Sequence, residues 1–562
     1  MGAIGPEVNA GEAGLPSGYW EACRLAQERQ YDEARRLYAE LEGAAAGSDA
    51  RLRCLIRNDL AVLAALEGRF DEARQGWSAA REVDPGCLPA RLNDALIAAE
   101  LDYAKLGPDD FPEPFAYARA PGAGPATTIA SPPQKITHAA AGRPIRVAVL
   151  SFLFNWPASG GGNVHTVELA RFLARAGYDV LHVYARYHDW GIGNVTEELP
   201  GRSEALEFDA AGWRLDEIVA RYRRAVEGFD PDCVLITDAW NMKPLLAAAV
   251  QGYPFFLRFQ ALECLCPLNN LRLLARSPDQ FEQCPRHQLA TPEVCQRCLA
   301  ERGAHSGALH QLERALAGVG MPEYDQVLRW ALQEAEAVLV LNPLIAALLE
   351  PYARRVRVVP WGMDPARFPW PPPEGLRGAS PEGVATLFMA AVQGETIKGF
   401  HVAHAACRLL RQSRSDFELV VTFDPPGRID EFTRSVGWCS QAELPCHYRA
   451  ADICLVPTIA QEGLSRTSVE AMAAGIPVVA SRIGGLPFTV SDGTTGLLCE
   501  PGDPADLARQ IARLLDDPPL RRTMGLAGRR RFEEAFTWES VIESYYRPLL
   551  ARRAAGAGLL GG

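Results

Sequence analysis

EGLSRTSVEAMAAGIPVV, residues 462–479, reads as a loop carrying one carboxylate, a helix carrying a second, and then a buried strand. Glu462 stands before the helix, where its carboxylate is placed to accept hydroxyl hydrogen bonds. Glu470 lies inside the helix, about two turns further on, and can accept a vicinal pair of hydroxyls. The amides between them, those of Gly463, Leu464 and Ser465, fall at the positive end of the helix, a seat for anions. Two glutamates at this spacing are most often a solvated helix face. Here the flanking EAMAAGIPVV makes the pair far more specific.

Working outward, short apolar runs alternate with helical patterns, as in a parallel sheet covered on both faces. One series begins with Ile145–Leu150, followed by a helix whose Val164, Val167, Phe172 and Leu173 share a stripe, then Tyr178–Tyr184 and Cys233–Thr237. A second comprises Ala385–Ala390, Glu418–Thr422, Ile453–Val456 and Pro477–Ala480. The proline-rich RFPWPPPEG (367–375) joins them. The expectation is two α/β units with a ligand cleft at the carboxyl ends of their strands. Gly160–His165, GGGNVH, opens the first helix and lets a ligand approach its amides. A tight structural turn is an equally good reading of those glycines taken alone.

The segment from Glu462 to Asp503, ending SRIGGLPFTVSDGTTGLLCEPGD, resembles the E-x7-E core and tail of the GT-B glycosyltransferases of family 4. Val359–Asp364 with Phe368, Lys398-Gly399-Phe400 and the helix from Trp538 to Leu549 resemble further segments of that family, so the likeness runs from about Ile145 to Leu549. It implies an α/β fold of GT-B type, two Rossmann-like domains facing a cleft, and a retaining, metal-independent transfer from a nucleotide sugar to a hydroxyl. It further implies that Lys398 and Glu462 are catalytic, with Lys398 on the donor diphosphate and Glu462 on the donor sugar. Glu470 would hold the ribose, with Gly463, Leu464 and Ser465 completing the donor site and Gly161 and Gly162 lining the cleft. The acceptor would be a glycan, a lipid-linked molecule or a protein, in cell-surface glycan or glycoconjugate synthesis. Three positions depart from the family pattern. Gln393 stands where an arginine is usual and removes a permanent charge, which Arg466 is near enough in sequence to replace. Gln260, at the place of a histidine, cannot act as a base, and Phe488 replaces a glutamate.

Upstream, Tyr31-Asp32-Glu33-Ala34 with Tyr38 recurs as Phe70-Asp71-Glu72-Ala73 with Trp77. With Ala61, Gly68, Ala80 and Pro85, the second copy resembles a tetratricopeptide repeat, in which small residues let two helices approach and aromatics fill the gap. A plain helical bundle is the alternative. A capping helix is expected over Leu88–Leu101. The expected organisation is a helical module over 1–105 that could hold a protein partner, a Pro/Gly/Ala-rich linker over 106–143, an acceptor-side domain over 144–368, and a nucleotide-sugar domain over 369–562.

Of the 14 cysteines, five crowd between Cys264 and Cys298. The pair Cys295–Cys298 is a CxxC, and with Cys266 and Cys284 it could form a tetrahedral thiolate site, hence the expectation of a structural zinc. A redox pair or ordinary reduced thiols are the alternatives, and no cofactor is expected for catalysis. The formal net charge of −12 argues against nucleic acid as a partner. Arginines 354, 355 and 357, and 529–531, read as solvated faces. Without a signal peptide or a transmembrane run, a cytoplasmic chain is expected, at most peripheral at the inner membrane face. Two other functions fit the same architecture: a sugar-nucleotide epimerase, and a scaffold combining the repeats with a degenerate GT-B part.

Overall fold

The computed structural model describes residues 16–27, 30–45, 50–66, 69–84, 143–157, 161–277, 280–303, 308–371, 383–391, 396–424 and 430–554. The expected linker, the capping helix at 88–101, Gly68, Pro85, Gly160 and Gln393 lie outside these residues. The chain divides into two compact units: Met1–Ser131 with Gln283–Arg302 and Ala347–Tyr352, and Pro132–Glu282 with Gly303–Ala346 and Ala353–Gly562.

In the first unit, α1 (Ser17–Gln27) packs on α2 (Tyr31–Ala44), and α3 (Ala50–Leu66) on α4 (Phe70–Val83). Small residues let these helices approach closely. A Cβ on Gly76 would come within 2.8 Å of Ala61 Cβ, so the α3–α4 approach depends on both being small. Ala34, Tyr38, Ala61, Ala73, Trp77 and Ala80 are buried in one core. That core also encloses a carboxylate. Asp59 accepts from the Tyr19 hydroxyl at 2.7 Å and from the Tyr38 hydroxyl at 3.1 Å, and burial raises its pKa to about 6.

The second unit contains two parallel sheets. The seven-stranded sheet has the order β3-β2-β1-β4-β5-β8-β9, with β1 Arg146–Ser151, β2 Asp179–Arg186, β3 Ser203–Glu207, β4 Cys233–Ile236, β5 Phe255–Arg258, β8 Ala337–Val340 and β9 Val356–Val358. The six-stranded sheet has the order β12-β11-β10-β13-β14-β15, with β10 Ala385–Met389, β11 Phe417–Val421, β12 Thr433–Ser435, β13 Ile453–Val456, β14 Val478–Ser481 and β15 Gly496–Cys499. The remaining strands, β6 (Leu273–Ser277) and β7 (Gln280–Gln283), form a separate pair. Central strands such as β4 and β13 are buried at every position, as sheets covered on both faces require.

Each large sheet reverses direction once, between β1 and β4 in the first and between β10 and β13 in the second. At such a switch point the loops leaving neighbouring strands diverge and open a crevice. The chain end closes the arrangement. Trp538, Val541, Ile542, Tyr546 and Leu550 are buried with Val147, Leu169, Phe172 and Phe256 in the core of the first sheet. The expected domain boundaries count this segment with 369–562, while the family helix it resembles crosses back onto the first α/β domain, and here it packs on the first sheet. Another expectation is corrected at Arg529 and Arg531, while Arg530 is exposed as expected. Arg529 is buried and donates to Ala473 O at 2.6 Å and Phe368 O at 2.8 Å, while Arg531 donates to Phe488 O and Thr489 O. Helix-end and loop carbonyls, rather than water, satisfy these guanidinium groups.

Candidate active site

The switch points carry the residues singled out from sequence. In the first sheet, β1 leads to the helix Gly161–Arg175 and β4 leads to Asp238. In the second, β10 leads towards Lys398 and β13 towards Glu462. The two edges touch. A Cβ on Gly463 would lie 2.5 Å from Gln260 O and 2.8 Å from Leu341 Cδ1, and Asn342 Nδ2 donates to Gly463 O at 2.6 Å.

The loop 462–465 owes its course to glycines beneath it. Gly485 N donates to Glu462 O at 2.8 Å, and Gly484, with φ +56°, leaves no room for a Cβ against Glu462 N and O at 2.7 Å. Ser465 caps the helix Arg466–Ala474 through its hydroxyl, which accepts from Ser468 N. Leu464 is buried in the core of this sheet. Gly463 and Leu464 therefore keep only backbone groups for a ligand.

Lys398 Nζ donates to Glu462 Oε1 at 2.8 Å, which joins the two expected catalytic residues directly. Lys398 is placed by Gly399 (φ +77°), where a Cβ would overlap Pro457 O. Glu470 is 4% exposed and already has partners: Tyr448 Oη donates to Oε2 at 2.9 Å, and Arg367 Nη1 donates to Oε1 at 3.3 Å. The same arginine donates to Gln441 O, tying the loop before the helix Leu444–Ala450 to the acid. Burial and the neighbouring carboxylate hold the Tyr448 phenol well above its usual pKa, so it remains a donor.

On the first sheet's side, the space left by missing side chains is filled by functional groups. A Cβ on Gly161 would meet the Trp361 ring at 2.9 Å and Arg466 Cδ at 3.3 Å. One on Gly162 would meet Asp238 Oδ2 at 2.7 Å. The Asn163 amide, oriented to donate, reaches Leu153 O at 3.0 Å and Asp238 Oδ2 at 2.6 Å. Burial raises the Asp238 pKa to about 7 despite the nearby Lys243. Trp361 Nε1 donates to Gln260 Oε1 at 2.6 Å. His165 lies between the Trp361 and Trp538 rings and is kept neutral by burial and the positive Arg258 and Arg466.

Asp238, Arg367, Tyr448 and Trp361 were not singled out from sequence. For Asp238 a signal existed, since it directly follows the strand CVLIT at its carboxyl end. Arg367 and Tyr448 gave none, because they reach Glu470 from segments 103 and 22 residues away.

Among the described residues no group of three or more His, Cys, Asp or Glu side chains is placed to hold a metal ion. Cys284, Cys295 and Cys298 belong to the first unit and Cys266 to the second. Cys295 Sγ lies 3.9 Å from Thr291 Oγ1, and Cys284 Sγ donates to Arg286 O at 3.8 Å.

Residues 384–517 match the profile of the family described as glycosyl transferases group 1. A mannosyltransferase of Mycolicibacterium hassiacum, described as an MMP alpha-(1->4)-mannosyltransferase, is 33% identical over 245 residues, covering 40% of this chain and 57% of that protein. The 2-deoxystreptamine glucosyltransferase of Streptomyces kanamyceticus is 33% identical over 251 residues, covering 41% and 64%. The chain thus spans less than two thirds of the length of these relatives. Among solved structures, sucrose-phosphate synthase from Thermosynechococcus elongatus superposes with a TM-score of 0.52 at 21% identity, over 73% of this chain and all of that one. Anabaena HepE in complex with UDP superposes with a TM-score of 0.50 at 15% identity, over 72% and 100%. At these identities the likeness concerns the fold, which is α/β of GT-B type beside an N-terminal helical region.

Proposed function

We propose that this chain is a retaining glycosyltransferase that moves a sugar from a nucleoside diphosphate sugar to a hydroxyl acceptor. The observation carrying the proposal is the joint placement of Glu462, Lys398 and Glu470. All three stand where the two sheets' carboxyl edges meet, with Lys398 on Glu462 and Glu470 buried within the helix that follows Glu462. The names of the relatives, a mannosyltransferase and a glucosyltransferase, and the UDP held by the Anabaena neighbour agree with it.

In this reading Glu470 accepts the ribose hydroxyls, the amides of residues 463–465 and Lys398 hold the diphosphate, and Glu462 accepts a hydroxyl of the donor sugar. The bond between the anomeric carbon and the phosphate oxygen breaks, and its electron pair leaves on the diphosphate. The acceptor oxygen bonds to the anomeric carbon on the face just vacated, and its proton passes to the departing phosphate oxygen. Charge on that oxygen is met by groups already in place, which lowers the barrier without reorganisation. Glu462 is thus a ligand of the sugar and not a nucleophile, unlike the close carboxylate pairs of retaining glycosidases.

A glycan, lipid-linked or protein acceptor, a role in cell-surface glycan or glycoconjugate synthesis, and recruitment of a protein partner by tetratricopeptide-like helices complete the proposal. No described helix is long and apolar enough to cross a membrane. The test is incubation with a panel of labelled nucleotide sugars. Slow release of nucleoside diphosphate from one donor, accelerated by an acceptor and giving the α-anomer from an α-donor, is expected. Isomerisation of the sugar with no release would establish an epimerase instead, and absence of binding to every donor would leave a scaffold.

A further inference from the structure

Resting on the donor reading above, Arg466 is a described cation of the cleft with unspent hydrogen-bonding capacity. Lys398 is engaged with Glu462, and Arg367 with Glu470 and Gln441 O. Arg466 differs. Its Nη1 and Nη2 are both shielded from solvent and without a hydrogen-bond partner. They lie 3.7 Å from Glu168 and 3.8 Å from Glu470, between two carboxylates and bonded to neither. A second donor nearby is also unused: Gln260 is 8% exposed and its Nε2 has no partner, while its Oε1 is fixed by Trp361. Both residues lie against the Trp361 side chain, since the Arg466 guanidinium is 6.0 Å from its ring centroid.

The position of these groups points to their ligand. Arg466 is the first residue of its helix, four residues after Glu462 and four before Glu470. A donor whose ribose is on Glu470 and whose sugar is on Glu462 must lay its diphosphate across the interval between them. Against Arg466 stands Gly161, which opens the helix Gly161–Arg175, so two helix N-termini and a guanidinium converge there. Position 393, five residues before Lys398, holds an uncharged glutamine. A diphosphate needs more positive charge than one lysine supplies, and a guanidinium fork matches phosphate oxygens.

We propose that Arg466, with Gln260 Nε2, seats the phosphate adjoining the transferred sugar, leaving its resting place between Glu168 and Glu470 when the donor enters. The geometry assigns the first sheet's side a share of the leaving group through Gln260, so the diphosphate bridges the two halves of the cleft.

The test is calorimetric titration of the full chain with UDP, GDP and ADP and with the matching monophosphates. The wild type should bind one diphosphate more tightly than its monophosphate. Arg466→Gln should remove most of that gap, weakening the diphosphate on the order of ten- to a hundredfold while leaving the monophosphate nearly unchanged. Arg466→Lys should restore part of the gap, as charge without the fork. Gln260→Glu keeps an oxygen for Trp361 but places an anion at Nε2, and should also narrow the gap. Glu168→Gln removes the resting partner and should preserve it. Thermal melts of each variant establish that it is folded. Equal weakening of mono- and diphosphate in Arg466→Gln, or an intact gap in both Arg466→Gln and Gln260→Glu, would overturn the assignment while the donor reading stands. A wild type that binds none of the nucleotides would overturn both.

Discussion

Replacing Glu470 by alanine measures the ribose contact directly, and the structure sets its size. The carboxylate is not waiting in water: Oε2 holds the Tyr448 hydroxyl at 2.9 Å and Oε1 the Arg367 guanidinium at 3.3 Å. A carboxylate oxygen accepts more than one hydrogen bond, so ribose hydroxyls would share these oxygens and not displace their partners. Each charge-assisted bond contributes about 1.5–3 kcal/mol. Because the acid is already partly satisfied, the gain should be closer to one such bond than two, or on the order of a ten- to hundredfold change in donor affinity. Alanine also strands Arg367 and Tyr448, so the raw loss mixes ribose binding with local rearrangement. A double cycle separates them. Wild type and Glu470→Ala are titrated with a nucleoside diphosphate and with its 2′,3′-dideoxy analogue. The wild type should prefer the hydroxylated ligand by that factor, and the variant should lose the preference even if both affinities fall. A variant that discriminates as sharply as wild type would show that the ribose is held elsewhere, and the proposed function would lose its principal support.

Other perturbations follow from the same geometry. Gly162→Ala places a methyl 2.7 Å from Asp238 Oδ2, an overpacking worth about 1–3 kcal/mol; calorimetry should show a lower Tm, and an unchanged Tm would mean the glycine helix is free to shift. Trp538→Ala empties a fully buried site whose indole donates to Glu168 at 2.9 Å, and should cost about 3–5 kcal/mol in denaturant unfolding. A loss under 1 kcal/mol would deny that the C-terminal segment locks the first sheet. For Asp59, burial raises the folded pKa to about 6, above its ordinary value of 3.8, so the folded state binds the proton more tightly. Its stabilising contribution is complete below about pH 4 and is lost as pH rises through about 6, on the order of 3 kcal/mol in all. The stability difference between wild type and Asp59→Asn should change across that window and be flat outside it; a difference flat from pH 4 to 7 would contradict a buried titrating acid.

The sequence by itself determined the alternation of strands and helices, the two α/β series, and the loop and helix bearing Glu462 and Glu470. These are local matters: runs such as CVLI and IPVV are apolar at every position because both faces of their sheets are covered, and the E-x7-E stretch is one continuous segment. The helical pairs were equally legible, since Ala61, Ala73 and Trp77 sit at spacings fixed by helix geometry. Tertiary structure alone decided what the acids meet. Arg367 reaches Glu470 from the joint, Gln260 meets Gly463 from the other sheet, and Arg466 points towards Glu168, pairings that depend on side-chain directions across a cleft. It also decided that Arg529 is buried on helix-end carbonyls. Periodicity reports which face of an element is buried. Only the packed chain reports against what.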